Sequence, residues 1–365
     1  MTSGKHLRAA ISTPDVRRIV AVTSFLLIAV LVVVGIFVLR NREIETKPWF
    51  AGYVDVTLAP PLAFETPTSA HTKNVLLSFI VADPANPCEP HWGTHYSLDQ
   101  AGTLLDLDAK IAKLRKNGGR AAISFGGAAS TELATSCIDL PSLQNAYQRV
   151  IDRYEVSTVD FDIEGDNLQD SVAGARRAQA VAQIQKDRAD RGKPLDVWLT
   201  LPVSPRGLTD EGVAEIEQML SEGVDLAGVN IMTMNYGASR IAGQSMLQAS
   251  EAAAVAAHSQ LGIIYQRAGL GLDDAAVWAK IGLTPMIGTN EITADVFTVQ
   301  DATQFAEFAQ SKNVGRMSQW SNNRDIQCAT ATLNPVIAPH TCSGVTQDNG
   351  VFSNILGEPF TDRFK

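Results

Sequence analysis

Between Thr158 and Glu164 the chain alternates acidic and apolar side chains: Thr158-Val159-Asp160-Phe161-Asp162-Ile163-Glu164. In an extended strand successive side chains point to opposite faces, so Asp160, Asp162 and Glu164 share one side and Val159, Phe161 and Ile163 the other. Three carboxyls on one buried face are costly to ionise together, and each charged neighbour raises the pKa of the next. No Lys or Arg is interleaved in the run to neutralise them. The pattern suits a proton donor: the outermost carboxyl, Glu164, keeps its proton near neutral pH, as a general acid must. The alternatives are a solvated acidic strand end and a site for a hard metal cation. His91 and His95 lie four apart in a Pro- and Gly-flanked loop, which favours surface or binding roles over a zinc site.

Such a ladder needs a scaffold that presents strand ends to solvent. Short apolar runs are expected as strands at Gly52–Leu58, Asn74–Ala82, Arg120–Phe125, Thr158–Ile163, Asp196–Leu201, Gly228–Met234, Leu283–Ile287 and Arg316–Trp320, the pattern of a parallel sheet covered by helices. Helical patterns fall between them at Asp106–Lys116, Gln169–Arg191, from Asp210 behind a Thr209 cap, Ser245–Gln266 and Asp301–Lys312. Eight strands separated mainly by helices predict an α/β fold of the (β/α)8 TIM-barrel type, with the carboxylates stepping toward the C-terminal mouth where such barrels do chemistry. The Pro-rich connection after the first strand shows no clear helix, and an irregular tail is expected after the eighth.

Several motifs resemble glycoside hydrolase family 18, the chitinases and related hydrolases of N-acetylglucosamine polymers. The family signature Asp-x-x-Asp-x-Asp-x-Glu is matched from Ser157 to Glu164, with Ser157 in place of the first Asp. Its Ser-x-Gly-Gly motif is matched by Ser124-Phe125-Gly126-Gly127, whose small residues leave room for the carboxylates. Met234-Asn235-Tyr236-Gly237 stands where the family often has Met-x-Tyr-Asp, and Trp320 matches the Trp that closes the last strand. The resemblance covers roughly residues 50–325. It implies a retaining mechanism without an enzyme nucleophile: Glu164 as acid, Asp162 orienting the substrate's acetamide, Asp160 supporting Asp162, Tyr236 bonding the acetamide oxygen, and Trp320 as floor. Asn235 is a candidate to replace the Asp lost at Gly237; Met234, Tyr53 and Gln319 complete the expected substrate contacts. No cofactor and no metal are implied.

The rest of the chain places this domain. Ile19 to Leu39 is a run of 21 residues without a charge, long enough to span a bilayer. An uncleaved anchor at residues 19–39 is therefore expected, after a cytoplasmic segment 1–18 and before a linker at 40–49 and a catalytic domain at 50–365; a cleaved signal is the alternative. The Lys and Arg residues flanking the run only weakly favour a cytoplasmic N-terminus. All four cysteines follow the anchor, which suggests an exported domain with Cys88–Cys137 and Cys328–Cys342 bridges, against the alternative of reduced cysteines in the cytoplasm. A single-pass cell-membrane protein with an extracellular, monomeric catalytic domain follows. The net charge of −9 argues against nucleic acid and is compatible with a neutral glycan polymer. Endo-acting cleavage of glycoprotein or cell-wall glycans, and sugar binding without catalysis, are the competing functions.

Overall fold

In the computed structural model the described residues are 48–329, 338–362 and 364. Eight parallel strands form a closed barrel: β1 (Gly52–Asp55), β2 (Asn74–Ala82), β3 (Arg120–Gly126), β4 (Thr158–Asp162), β5 (Asp196–Ser204), β6 (Leu226–Met232), β7 (Ile281–Thr284) and β8 (Arg316–Met317). Each pairs with the next in sequence order. The ring closes because the chain changes partner at Ala51: Trp49–Phe50 pairs with β8, whereas Gly52–Asp55 pairs with β2. Bonds from Ala51 N to Met317 O and Tyr53 N to Gln319 O, each 3.1 Å, seal the seam. All eight expected strands form. The barrel starts at Trp49, inside the expected linker, because that side chain is buried and its backbone belongs to the seam.

Local sequence signals start the helices around the barrel. Thr209 caps Asp210–Ser221 by accepting from Gly212 N, and capping boxes open Met246–Arg267 (Ser245, Gln248) and Val299–Ser311 (Thr298, Asp301). Leu107–Lys116 and Ser171–Asp190 also form close to their expected limits. Helices at Leu98–Leu104, Asp274–Ala279 and, longest of these, Leu140–Arg153 were not expected, although Asp139 caps the last, Pro141 sits in its first turn, and Leu143, Ala146, Tyr147, Val150 and Ile151 line its buried face. No α-helix follows β1, as expected; a cavity of about 310 Å³ bordered by Phe64, Thr72, Val75 and Ser353 lies beside that connection.

The tail is less irregular than expected. Val351–Gly357 is a short helix that buries Phe352 and Leu356, and its start is held by Asp325, which accepts from Phe352 N and Ser353 N. Beyond it, Phe364 packs edge-on against Trp49 (4.9 Å between centroids) and joins Trp49, Ala51, Tyr53, Leu76, Ala122 and Trp198 in an apolar cluster inside the barrel. The expected membrane segment at 19–39 lies outside the described residues; no helix among the described residues is long and apolar enough to cross a membrane.

Both expected disulfides form, Cys88–Cys137 and Cys328–Cys342, with Cα atoms 4.7 and 5.1 Å apart. The first ties the loop after β2 to the loop after β3; the second closes a tail loop. Their sequence separations are 49 and 14 residues, so chain-entropy reasoning assigns the first about 4 kcal/mol and the second about 3 kcal/mol. Urea unfolding of the two paired Cys→Ser variants should therefore show the larger loss for Cys88/Cys137; the reverse order would contradict an entropic origin.

Candidate active site

A polar layer crosses the middle of the barrel, and an ion pair is its centre. Arg316 on β8 donates from Nη1 to Asp160 Oδ1 at 2.7 Å, with both side chains fully buried. Asp160 also accepts from Thr200 on β5 (2.6 Å), Ser124 on β3 (2.7 Å) and Tyr53 on β1 (2.9 Å). The guanidinium further donates to Tyr53 Oη (2.8 Å) and Ser318 Oγ (2.9 Å) and lies 5.3–5.6 Å from the ring centroids of Trp49, Trp198 and Tyr53. Asn230 and Thr284 extend the layer to β6 and β7. The absence of a neutralising cation, inferred from the run itself, thus does not hold in three dimensions. No hydrogen bond joins Asp160 to Asp162 among the described residues; Asp160 acts on Asp162 through its charge.

Above that layer the carboxyls have few partners. Asp162 is buried, its Oδ1 has no hydrogen-bond partner among the described residues, and burial, followed by the charges of Glu164 and Asp160, pushes its pKa well up. Glu164 continues the direction of β4 in extended backbone and leaves its side chain free of the helix Gly165–Gln169 that it precedes. Burial and then the charge of Glu291 raise Glu164 to about 7. Glu291, in the loop between the short strands Gly288–Thr289 and Val296–Phe297, was not expected from sequence.

The small-residue motif serves these carboxyls more specifically than by leaving space. Ser124 binds Asp160. Gly126 has φ +98, and a Cβ there would collide with the backbone carbonyl of Asp162; Gly127 donates its N–H to that same oxygen at 2.8 Å. A side chain on Gly127 would strike Phe79, which stacks on Trp320 with centroids 5.5 Å apart and planes at 22°. Phe79 reaches this place because β2 carries one extra residue between Leu77 and Ile80 relative to β3. Trp320 also touches the cluster of Met234, Met286 and Ala338.

Other expected site residues stand elsewhere. The Tyr53 hydroxyl is enclosed in the Asp160–Arg316 layer and is not available to a sugar. Gln319 is next to Trp320 and so faces the opposite way; its amide donates to Asn322 (3.0 Å) and Ser353 (2.9 Å), tying the barrel to the tail helix. Asn235 takes a left-handed backbone (φ 51), so β6 has already ended and alternation stops there. Its side chain donates to Glu291 Oε2 (3.2 Å) and accepts from Ile292 N (3.3 Å). After that reversal Tyr236 enters the main apolar core; its hydroxyl neighbours Ser250 but closes no hydrogen bond of normal geometry, and burial raises its pKa. Asp162 and Glu164 are not among the groups that perturb it. Ser157 is out of phase with Asp160, Asp162 and Glu164; it borders a cavity near the N-terminal end of β4 with Arg188 and Arg191, so it is not the lowest rung of their ladder.

Breaking a buried ion pair on one side leaves an uncompensated charge, typically at a cost of about 3–5 kcal/mol. Arg316→Met should destabilise the domain by that order in chemical unfolding, and the Arg316→Met, Asp160→Asn double variant should recover part of the loss. A double variant no better than the single would refute the coupling.

No family model matches the chain. A probable bifunctional chitinase/lysozyme of Escherichia coli K12 is 35% identical over 330 residues, 86% of this chain and 35% of that protein. Endochitinase 11 of Metarhizium anisopliae is 34% identical over 298 residues, 79% of this chain and 55% of that protein. The chain thus spans about a third and about half of these two relatives. The catalytic domain of a hyperthermophilic chitinase from Pyrococcus furiosus superposes with a TM-score of 0.73 at 29% identity, covering 87% of this chain and 97% of that one. The barrel and these likenesses agree: the described residues fold as the catalytic domain of the Pyrococcus furiosus chitinase does, and most of the chain is similar in sequence to the two chitinase relatives.

Proposed function

We propose that this domain hydrolyses β-1,4 linkages of N-acetylglucosamine polymers, chitin and its oligosaccharides, with retention of configuration and with the substrate's acetamide as the internal nucleophile. The observation that carries the reading is the pair at the barrel mouth: an acid raised to about 7 beside a buried carboxyl with an unfilled acceptor. Glu164 protonates the glycosidic oxygen as its bond to C1 breaks, and the acetamide oxygen bonds to C1 to give an oxazolinium ion. Asp162 accepts the acetamide N–H at Oδ1, and the positive charge growing on the ring favours its ionised form. Glu164, now a carboxylate, takes a proton from the water that attacks C1 and reopens the ring. The stacked Trp320 and Phe79 supply an apolar surface for a sugar face. A second reading, cleavage of a cell-wall glycan, is favoured by the lysozyme half of the name of the Escherichia coli relative; products from defined oligosaccharides separate the two.

Glu164 works protonated, so activity should be present below its raised pKa and fall as pH rises through about 7. Glu164→Gln should lower kcat on chitooligosaccharides by about 10²–10⁴-fold, the usual worth of a general acid, with unchanged far-UV circular dichroism. Full turnover by this variant would sink the assignment, and an unmodified protein that binds these sugars without cleaving them would be a sugar-binding relative.

For the chain as a whole we propose a membrane anchor at residues 19–39 holding the domain outside the cytoplasm, a placement that the two disulfides support. Cell fractionation should recover the protein with membranes and accessible to external protease. A soluble product beginning after residue 40 would overturn this.

A further inference from the structure

The loop between Gly288–Thr289 and Val296–Phe297 is held against the end of β6 by more bonds than a solvated turn needs. Asn235 N donates to Asn290 Oδ1 at 3.1 Å, Asn235 Nδ2 to Glu291 Oε2 at 3.2 Å, and Ile292 N to Asn235 Oδ1 at 3.3 Å. Behind it Asn290 donates to the carbonyls of Met286 (2.8 Å) and Gly288 (3.1 Å), and Gly237 N donates to Asp295 Oδ2 at 2.8 Å. Asp295 is buried and paired with Arg240 at 2.7 Å. Arg324, from the segment after β8, donates to the carbonyls of Ile287 (3.0 Å) and Thr289 (2.6 Å). The pinned loop carries Glu291, whose exposed carboxylate has a neutral amide as its hydrogen-bond partner.

We infer that Glu291 is a positioning residue for the acid: Asn235 holds its carboxylate beside the barrel mouth, where its charge keeps the proton on Glu164. This rests on the role proposed for Glu164 and extends it to a residue outside the barrel strands.

The charged groups around Glu164 support this arrangement. From its own strand, Asp162 is a buried carboxyl whose pKa is itself pushed up, and Asp160 below it is neutralised by Arg316. Asp166 follows in the short helix and is exposed. In the adjoining loop after β3, Glu132 is paired with Arg177 at 3.1 Å. Glu291, exposed on the loop that Asn235 holds at the end of β6, adds its negative charge, which after burial is the further cause of the raised acid. The charge of Glu291 is felt by Arg324, whose Nη2 donates to backbone carbonyls; no ion pair within 4 Å joins Glu291 to a cation among the described residues.

The test is the pH dependence of kcat/KM for the full chain and for its Glu291→Gln and Glu291→Asp variants on a fluorogenic chitooligosaccharide, at low and high salt. Removing the negative charge lets Glu164 ionise at lower pH. The alkaline limb of Glu291→Gln should therefore move acidward, lowering the ratio of activity at pH 8 to activity at pH 5 by about three- to tenfold, the equivalent of about half to one pH unit. Glu291→Asp should keep much of the original limb, and high salt should narrow the difference between the unmodified protein and Glu291→Gln. A superimposable profile, or a loss that scales equally at every pH, would overturn the inference. Failure of the underlying reading has a different signature: no hydrolysis by the unmodified protein, or full turnover by Glu164→Gln.

Discussion

The Asp160–Arg316 pair is the constraint on which the barrel interior depends. Two opposite charges without solvent are expensive to bury, and attraction alone rarely repays the desolvation. Here hydrogen bonds to Asp160 from Tyr53, Ser124 and Thr200, and three aromatic rings around the guanidinium, complete the solvation that water would give. These partners come from β1, β3, β5 and the seam residue Trp49, so satisfying the pair also fixes strands far apart in sequence. Electrostatics couple the same pair to the carboxyl above it, Asp162. The Arg316 charge lowers the pKa of Asp162, while burial and the two neighbouring carboxylates raise it; the upward influences win.

Much of this was legible from strand alternation alone, including the outward Phe161, which stacks on Phe125 at 5.1 Å within the core beneath the helices. The ion pair was not, because 156 residues separate its partners and only barrel closure brings them together. A signal was nevertheless present. Trp320 was expected to face the barrel mouth, and Arg316 and Ser318 share its phase, so an inward cation on β8 follows from the same period of two. That rule also turns Gln319 outward and puts Ser157 out of phase with the acidic run. It fails after β6, where Asn235 adopts φ 51 and the chain turns before Tyr236. Motif matching carried the tyrosine into the site; the backbone reversal carries it into the core. The helix Leu140–Arg153 had a cap, a first-turn proline and a clear apolar face, so it was readable and missed, whereas the charge of Glu291 bears on Glu164 only through tertiary folding.

The segment after β8 acts as a buttress. Asp325 bonds Gln347, Phe352 and Ser353, Arg324 bonds the carbonyls of Ile287 and Thr289, and Ser343 O accepts from Thr289 N at 2.8 Å. The Cys328–Cys342 bridge closes the loop between these contacts. A tail that looks irregular in sequence therefore supports the loop carrying Glu291. Because that support lies outside the barrel strands, loop substitutions can change the charge carried at Glu291 without disturbing the Asp160–Arg316 layer.

Hydrogen-bond satisfaction separates the three carboxyls more sharply than their order in the strand does. Asp160 accepts four side-chain hydrogen bonds and has little left to offer a ligand. Asp162 is oriented through its backbone, with Gly126 and Gly127 closed upon its carbonyl, while its side-chain Oδ1 has no partner among the described residues. A buried acceptor left open costs stability, on the order of 1–3 kcal/mol. That cost is intelligible if an amide N–H supplied by substrate fills the position, because the bond then forms only in the complex. Glu164, partly buried and bound to no capping amide, can change protonation without dismantling any part of the fold. Along one strand, structural duty falls and chemical freedom rises from the barrel's middle to its mouth.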